Sequence, residues 1–336
     1  MSNTATVLAF DFGASSGRAI RAVYDGQNLT YEEIHRFENV PIEKDGHLCW
    51  DVETLLKEIH TAIQKSGTFD SLGFDTWGVD FGLLDTDGHL LANPVHYRDA
   101  RTNGKPEQAA ACMPAEELYA HTGNQIMAIN TLFQLLALRE QDPELLQKAE
   151  QILFMPDLFA ALLGAEPVCE RSIASTSQML DPRTGQWSRE VLVAYGLPEN
   201  RFAPIVASGT VTGTLANGAK IIAVAGHDTQ CASAAMPCAE EDAEHTAFLS
   251  CGTWSLLGTE LDAPILTLDS CQSGLSNELG ANGKINYLKN IIGLWLIQES
   301  RREYKRRGLA YSFAELEQQA LAAEPLRSFI DPDAPE

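Results

Sequence analysis

The sequence predicts an α/β protein of two domains, and three observations carry that expectation. At 336 residues the chain is about twice the length of a typical domain of roughly 150 residues. Apolar runs of strand length are interspersed with segments of helical periodicity, as expected of sheets packed against helices. A strand, a turn of small residues and a second strand occur near the start and again after residue 246, as two domains of one topology facing each other across a cleft would produce.

Each element has a local reason. Thr6 to Asp11 (TVLAFD) is an apolar run. Gly13 to Gly17 is a turn of small residues, and Arg18 to Tyr24 is a second run. Asp25-Gly26 is a hairpin dipeptide, and Leu29 to Phe37 completes an antiparallel meander. Asp51 can cap a helix whose apolar residues, Val52, Leu55, Leu56, Ile59, Ala62 and Ile63, fall on one face. Ser71 to Phe74 begins another strand, and Val79 to Leu84 with His89 to Leu91 flank a second hairpin signal at Asp87-Gly88. Thr131 to Glu140 reads as a helix capped by Asn130, with further helices at Glu144 to Gln151 and Val191 to Tyr195. Ile221 to Ala225 is a short buried strand, followed by GHDT and by a small-residue helix at Cys231 to Met236. The polar, acidic stretch Pro237 to Glu244 reads as a linker, which divides the chain into domains 1–240 and 245–336. Beyond it, Ala247 to Ser250, the turn Cys251-Gly252-Thr253 and Trp254 to Gly258 repeat the opening pattern, and Asn290 to Arg307 reads as an amphipathic helix.

Composition excludes several classes. Hydrophobic residues make up 45% and charged residues 21%, ordinary for a globular chain. No run reaches the ~18 apolar residues of a membrane span, and Met1 to Thr6 lacks the basic start of a signal peptide. The expected compartment is the cytoplasm. Seven cysteines without a C-x-x-C spacing argue for buried free thiols rather than a disulfide framework or a zinc knuckle. A formal charge of −22 argues against nucleic acid or an anionic membrane as partner, because long-range repulsion opposes approach. It leaves a phosphate ligand open, since backbone N–H groups bind anions locally.

Four segments carry candidate chemistry. Asp11 to Arg18 (DFGASSGR) sets a carboxylate at a strand end before a small-residue turn. It is either an ordinary hairpin turn or a loop that lets the backbone approach an anion, with the carboxylate holding Mg²⁺ through water. It matches neither the P-loop nor G-x-G-x-x-G. Gly226-His227-Asp228-Thr229 lies just beyond a strand's carboxyl end, where Asp228 can accept a proton from an alcohol or cap the next helix. Asp75 to Phe81 packs two carboxylates, an indole and a glycine together, which suits a sugar site or a strand rim. If the segment is a strand, Asp75, Trp77 and Val79 share a face and Asp80 points away. His96 to Arg101 is a charged aromatic cluster that reads as a substrate bridge or as a solvated loop.

Taken together these segments resemble the FGGY carbohydrate kinases, within the actin-like ATPase (RNase H-like) fold. The resemblance is carried in order by DFGASSGR at Asp11, IHRFEN at Ile34, DTWGVDFGLLD at Asp75, YRDARTNG at Tyr97, GHDT at Gly226, SCGTWSLLG at Ser250 and LKNIIGLW at Leu288. It runs from about Val7 to Pro332, and its finer match is to members that act on L-rhamnulose. It implies a ketose bound between two domains, with ATP and Mg²⁺. Asp228 is the implied base, taking the proton of the sugar's primary hydroxyl (O1) for in-line attack on the γ-phosphate. The resemblance implies sugar contacts at Gly78, Asp80, His227, Asp228, Thr229 and Asn290. It implies nucleotide contacts at Ala14, Ser15, Ser16, Gly17, Arg18, Thr253 and Gln298, and a metal at Asp11, through water. L-Fuculose and xylulose are the alternative ketoses, and a non-catalytic sugar-binding fragment is the alternative class. Family members continue past the position of Glu336 with the segment that holds adenosine. The chain is therefore expected to have an incomplete second domain, to bind sugar weakly and to turn over little.

Overall fold

The computed structural model describes residues 4–239, 242 and 245–331. A six-stranded sheet organises the first part of the chain, in the order Thr210–Thr214, Lys220–Ala223, Ser71–Thr76, Ala5–Phe12, Ser16–Tyr24, Leu29–Glu38. The expected meander forms its antiparallel half. Ala5–Phe12, Ser71–Thr76 and Lys220–Ala223 run parallel, side by side. Period-two alternation along the first strand buries Leu8, Phe10 and Phe12 and turns Ala9 and Asp11 to the opposite face. Below the sheet, Phe10 stacks on Phe74 at 4.8 Å between ring centroids and Phe12 on Phe159 at 4.9 Å. The helix Val52–Lys65 covers this core with Val52, Leu55, Ile59 and Ala62, and Asp51 caps it by accepting the Thr54 amide at 3.1 Å.

The three parallel strands bring their carboxyl ends together, and this arrangement builds the site. Asp11 stands directly opposite Asp75 in the register. The pairing continues past Ala223, where the Thr76 amide donates to the Gly226 carbonyl at 2.9 Å and Thr76 bridges His227. A helix, Asp228–Ala234, starts immediately afterwards with His227 in the cap position.

A second, antiparallel sheet has the order Phe248–Cys251, Trp254–Leu261, Ile285–Ile292, Ser276–Leu279. Its first hairpin repeats the opening one down to the turn. The Gly13 amide donates to the Ser16 carbonyl at 2.9 Å, and the Gly252 amide to that of Trp254 at 2.8 Å. The edge strand Ser276–Leu279 docks on the first unit. The Asn277 amide donates to the Gly123 carbonyl at 2.8 Å, the Leu279 amide to Ser175 Oγ at 3.0 Å, and the Gln125 amide to Ser276 Oγ at 2.9 Å.

Several expectations are corrected. Asn290 lies in a strand, not a helix, because Ile285–Ile292 pairs over eight positions with Trp254–Leu261. Strand pairing overrides the helical periodicity there, and the helix begins only at Trp295, after Gly293. The strand expected from Val79 starts at Phe81, and the hairpin across Asp87-Gly88 forms, with Leu84 bridging Leu90 and the Leu91 amide donating to the Leu83 carbonyl at 2.9 Å. The strand also pairs with Gln151–Phe154, so Gln151 is a strand residue rather than a helical one. Trp77, Gly78 and Val79 form a turn rather than a strand face, with Val79 at φ +67°. All seven cysteines are free, yet Cys112, Cys238 and Cys251 are exposed. Of the expected linker Pro237 to Glu244, residues 240, 241, 243 and 244 lie outside the described residues. Among the described residues, no helix is long and apolar enough to cross a membrane.

Candidate active site

A cleft of about 760 Å³ opens at the carboxyl ends of the parallel strands and is closed on its far side by the second sheet. That volume falls within the roughly 300–1,000 Å³ of small-molecule sites. Four carboxylates line it, Asp11, Asp75, Asp228 and Glu278, with Arg18 as the cationic neighbour of Asp11. Arg18 Nε donates to Asp11 Oδ2 at 2.7 Å. Burial, followed by the nearby charges of Asp11 and Asp228, holds the Asp75 carboxyl well above the usual carboxylate range. Burial also raises Asp228, while the imidazole of His227 and the Thr229 amide, 2.6 Å from Asp228 Oδ1, pull it back. The Asp228 side chain is 40% exposed to the cleft, so it is reachable by a ligand.

His227 is buried, with Nε2 at 3.5 Å from Asp228 Oδ1 and Nδ1 at 2.9 Å from Glu278 Oε2. Burial alone would lower its pKa, but the carboxylates of Glu278, Asp228 and Asp75 outweigh that and push it to about 9. Gly78 closes against this ring. A Cβ there would stand 3.4 Å from His227 Nε2 and 3.2 Å from Thr176 Cγ2.

An aromatic wall flanks Gly78. Trp50 stacks with Trp77 at 4.0 Å and with His96 at 4.2 Å, and His96 lies 4.5 Å from the Tyr97 ring. Trp77 and Tyr97 face the cleft, offering the flat apolar surface that sugar C–H groups require. Burial and then Arg98 lower His96 to about 4, so the ring stays neutral in this wall.

Asp80, expected to contact sugar, is instead buried completely behind the wall. Its Oδ2 accepts the indole N–H groups of Trp50 at 2.6 Å and Trp77 at 3.0 Å and the Tyr97 amide at 3.2 Å, while Oδ1 accepts from Gln134 at 2.9 Å. With those donors satisfied it orients the aromatic wall and has nothing left to offer a ligand.

The other expected residues divide by position. Ala14, Ser15, Arg18, Gly78, His227, Asp228, Thr229, Thr253 and Asn290 all line the cleft. Ser16 and Gly17 do not. Both belong to the strand Ser16–Tyr24, and the space beside Gly17 is taken by the Phe37 ring, 2.3 Å from where a Cβ would be. Its glycine serves packing. Gln298 stands behind the second turn, its Nε2 at 3.5 Å from Thr253 Oγ1. Sequence reasoning missed Asn124, Gln125, Asn130, Thr176 and Glu278, which complete the wall. Of these only Glu278 carried a signal, as a charge inside the strand sequence SNEL.

One strand–turn–strand hairpin repeated in two sheets, a turn of small residues from each at one cleft, and a carboxylate at a helix start between them define a two-domain phosphotransferase of the actin-like kind. The chain belongs to the FGGY family of carbohydrate kinases. Residues 6–234 match the family's N-terminal domain and residues 247–336 its C-terminal domain. It is similar to a rhamnulokinase from Bacteroides thetaiotaomicron, 40% identical over 97% of this chain and 68% of that protein. It is also similar to one from Bacillus subtilis, 38% identical over 96% of this chain and 67% of that protein. Among solved structures it is similar to a gluconate kinase from Lactobacillus acidophilus, with a TM-score of 0.77, 14% identity, and coverage of 96% of this chain and 66% of that one. A xylulose kinase from the same species gives 0.74 at 15% identity, with coverage of 95% and 66%. These structural likenesses speak for the fold alone. The chain spans about two thirds of the length of the relatives it matches.

Proposed function

We propose that this chain, with a domain boundary between residues 240 and 245, catalyses ATP-dependent phosphorylation of L-rhamnulose at its primary hydroxyl. One observation carries the reading. Asp228, its proton affinity raised by burial, faces a cleft bordered by the Gly13–Ser15 turn on one side and the Gly252–Thr253 turn on the other. A carboxylate there can receive the hydroxyl proton while the sugar oxygen bonds to the γ-phosphorus and the bond to the bridging oxygen of ADP breaks. A base poised nearer neutrality than an ordinary Asp suits an alcohol at physiological pH. The choice of L-rhamnulose rests on the rhamnulokinase relatives at 38–40% identity. No feature of the cleft favours L-fuculose or xylulose over it.

The residues also suit a nucleotide bound with a divalent cation. Four carboxylates share one cleft with a single guanidinium, and burial, with the neighbouring acids, raises the proton affinities of Asp75 and Asp228. Among the described residues only Asp85, Asp87 and His89, on an exposed turn, bring ligand atoms within 4.8 Å of one another, so Asp11 would hold Mg²⁺ through water rather than in a shared direct shell. When bound, the ion supplies neutralisation of phosphate charge. The backbone N–H groups of the two turns and Arg18 would bind phosphate oxygens.

The test is ADP release with L-rhamnulose, L-fuculose and D-xylulose, measured for this chain and for a version carried on to the relatives' full length. L-Rhamnulose is expected to give the highest kcat/KM, and Asp228→Asn to lower kcat by about 10²- to 10⁴-fold. A faster second ketose would refute the substrate, and an Asn variant with near-parent kcat would refute the base.

A further inference from the structure

We infer that Glu278 is a positioning residue for phosphoryl transfer, carried by the second sheet into the first unit's site to fix the orientation and charge of His227. This rests on the sugar-kinase reading above. The carboxylate can only accept, so His227 Nδ1, at 2.9 Å, must be the donor of that bond. The neutral ring would then leave Nε2 bare. Nε2 carries a proton only if the ring is an imidazolium.

The charged groups facing the ring are carboxylates from three elements. Glu278 comes from Ser276–Leu279, Asp228 from the helix that follows His227, and Asp75 from Ser71–Thr76. A fourth, Glu170, accepts the neighbouring Gly226 amide at 3.0 Å. Glu278, Asp228 and Asp75 together favour the charged ring up to a pKa of about 9. Nε2 is therefore a donor, and it opens onto the space that the missing side chain of Gly78 leaves. There it can donate to a sugar oxygen. Its charge also lowers the proton affinity of Asp228 and keeps that carboxylate ionised to receive the substrate proton.

Glu278 is itself held. Gln230 Nε2 donates to the same Oε2 at 2.7 Å, and Gln230 Oε1 in turn accepts from Asn286. Glu278 is 4% exposed, and its strand is fastened to the first unit by the Asn277, Leu279 and Ser276 contacts. Seating the second sheet thus sets the protonation state of a histidine in the first.

Two measurements decide it. Ring ¹⁵N spectra of histidine-labelled protein, with the His227 signals assigned by their loss in His227→Asn, read the ring directly and need no turnover. The parent is expected to show an imidazolium at pH 8, and Glu278→Gln to titrate below pH 7. A neutral His227 at pH 7 in the parent overturns the inference, whether or not the variant folds and whatever the sugar proves to be. The second measurement is the pH profile of kcat/KM for L-rhamnulose. Glu278→Gln is expected to lose about 10- to 100-fold at pH 8 and to recover most of it at pH 6, where the ring protonates unaided. Glu278→Asp should fall between variant and parent. A loss of equal size at every pH would make Glu278 a packing residue and overturn its role.

Discussion

Gly78 is where a single methyl group should separate sugar binding from folding. Its backbone is not in the left-handed region, so alanine meets no torsional penalty, and the cost is steric. The added Cβ would stand 3.2 Å from Thr176 Cγ2, 3.3 Å from Thr176 Oγ1 and 3.4 Å from His227 Nε2, a few tenths of an ångström inside the ~3.5–4.0 Å optimum for such contacts. Neither neighbour yields easily. Thr176 Oγ1 accepts the Val79 amide at 3.1 Å and donates to the Ile173 carbonyl at 2.8 Å, and His227 is tied to Glu278. Overpacking of this kind costs about 1–3 kcal/mol. For a unit of roughly 230 residues that corresponds to a fall in Tm of about 2–12 °C. The ligand suffers more, because the methyl also enters the space in front of Nε2. Gly78→Ala is expected to weaken ketose binding about 10-fold, equivalent to ~1.4 kcal/mol. Gly78→Val, with two further methyls in the cleft, should weaken it at least ~100-fold. Calorimetric titration with L-rhamnulose gives the affinity, and circular dichroism with a melting curve gives the fold. If Gly78→Val binds ketose as the parent does with an intact spectrum, the sugar lies elsewhere and the reasoning fails.

Two further predictions concern the wall and the seam. Burial raises Asp80 to about 6, even against the bonds it accepts from Trp50, Gln134 and Trp77. The folded state therefore holds the proton more tightly than the unfolded chain, and stability should fall as pH rises from about 4 to about 6 and then level. Urea titrations across that range should show a smaller fall in Asp80→Asn than in the parent, since Asp75 and Asp157 contribute to it in both, and an identical profile in both would refute it. Arg98 lies 5.3–5.6 Å from the ring centroids of Tyr97, Trp254 and Trp295, joining the aromatic wall to the second sheet and its helix. Arg98→Ala should cost about 1–2 kcal/mol and speed amide exchange in Trp295–Arg306. Unchanged exchange there would show that the guanidinium does not bind the two units.

The sequence was most legible where one local signal acted alone. The apolar run Thr6 to Asp11, the hairpin dipeptide Asp25-Gly26, the apolar face and Asp51 cap of Val52–Lys65, and the GHDT step after a buried strand could each be read without knowing their neighbours. What failed depended on partners distant in sequence. Ile285–Ile292 has the apolar spacing of a helix at its end, but eight pairings with Trp254–Leu261 make it a strand. Asp80 looked like a sugar ligand because it sits beside Trp77 and Gly78. It is buried because Trp50 and Gln134, 30 and 54 residues away, spend its acceptor capacity. Glu278 escaped notice for the same reason, since its importance lies in His227, 51 residues away.

The clustering of Asp11, Asp75 and Asp228 follows from the topology. Adjacent parallel strands end at the same level, so a carboxylate at the end of each is forced toward the others. In water three acids would simply ionise. Here burial, then mutual repulsion, raises the proton affinity of Asp75, and that of Asp228 is raised by burial and restrained by His227, with Arg18 engaged by Asp11. The cleft is therefore short of positive charge. This matters for a chain of net charge −22 that must admit a polyphosphate. A bare polyphosphate would meet the three acids unfavourably, whereas one arriving with a divalent cation would relieve them. Electrostatics alone would thus favour the metal-bound nucleotide as the ligand and oppose the free one. The charged His227 fits the same logic. It offers a fixed positive group beside Asp228, where the base of the proposed transfer would have to stay ionised until it takes the proton, and its charge is secured by Glu278 from the opposite sheet.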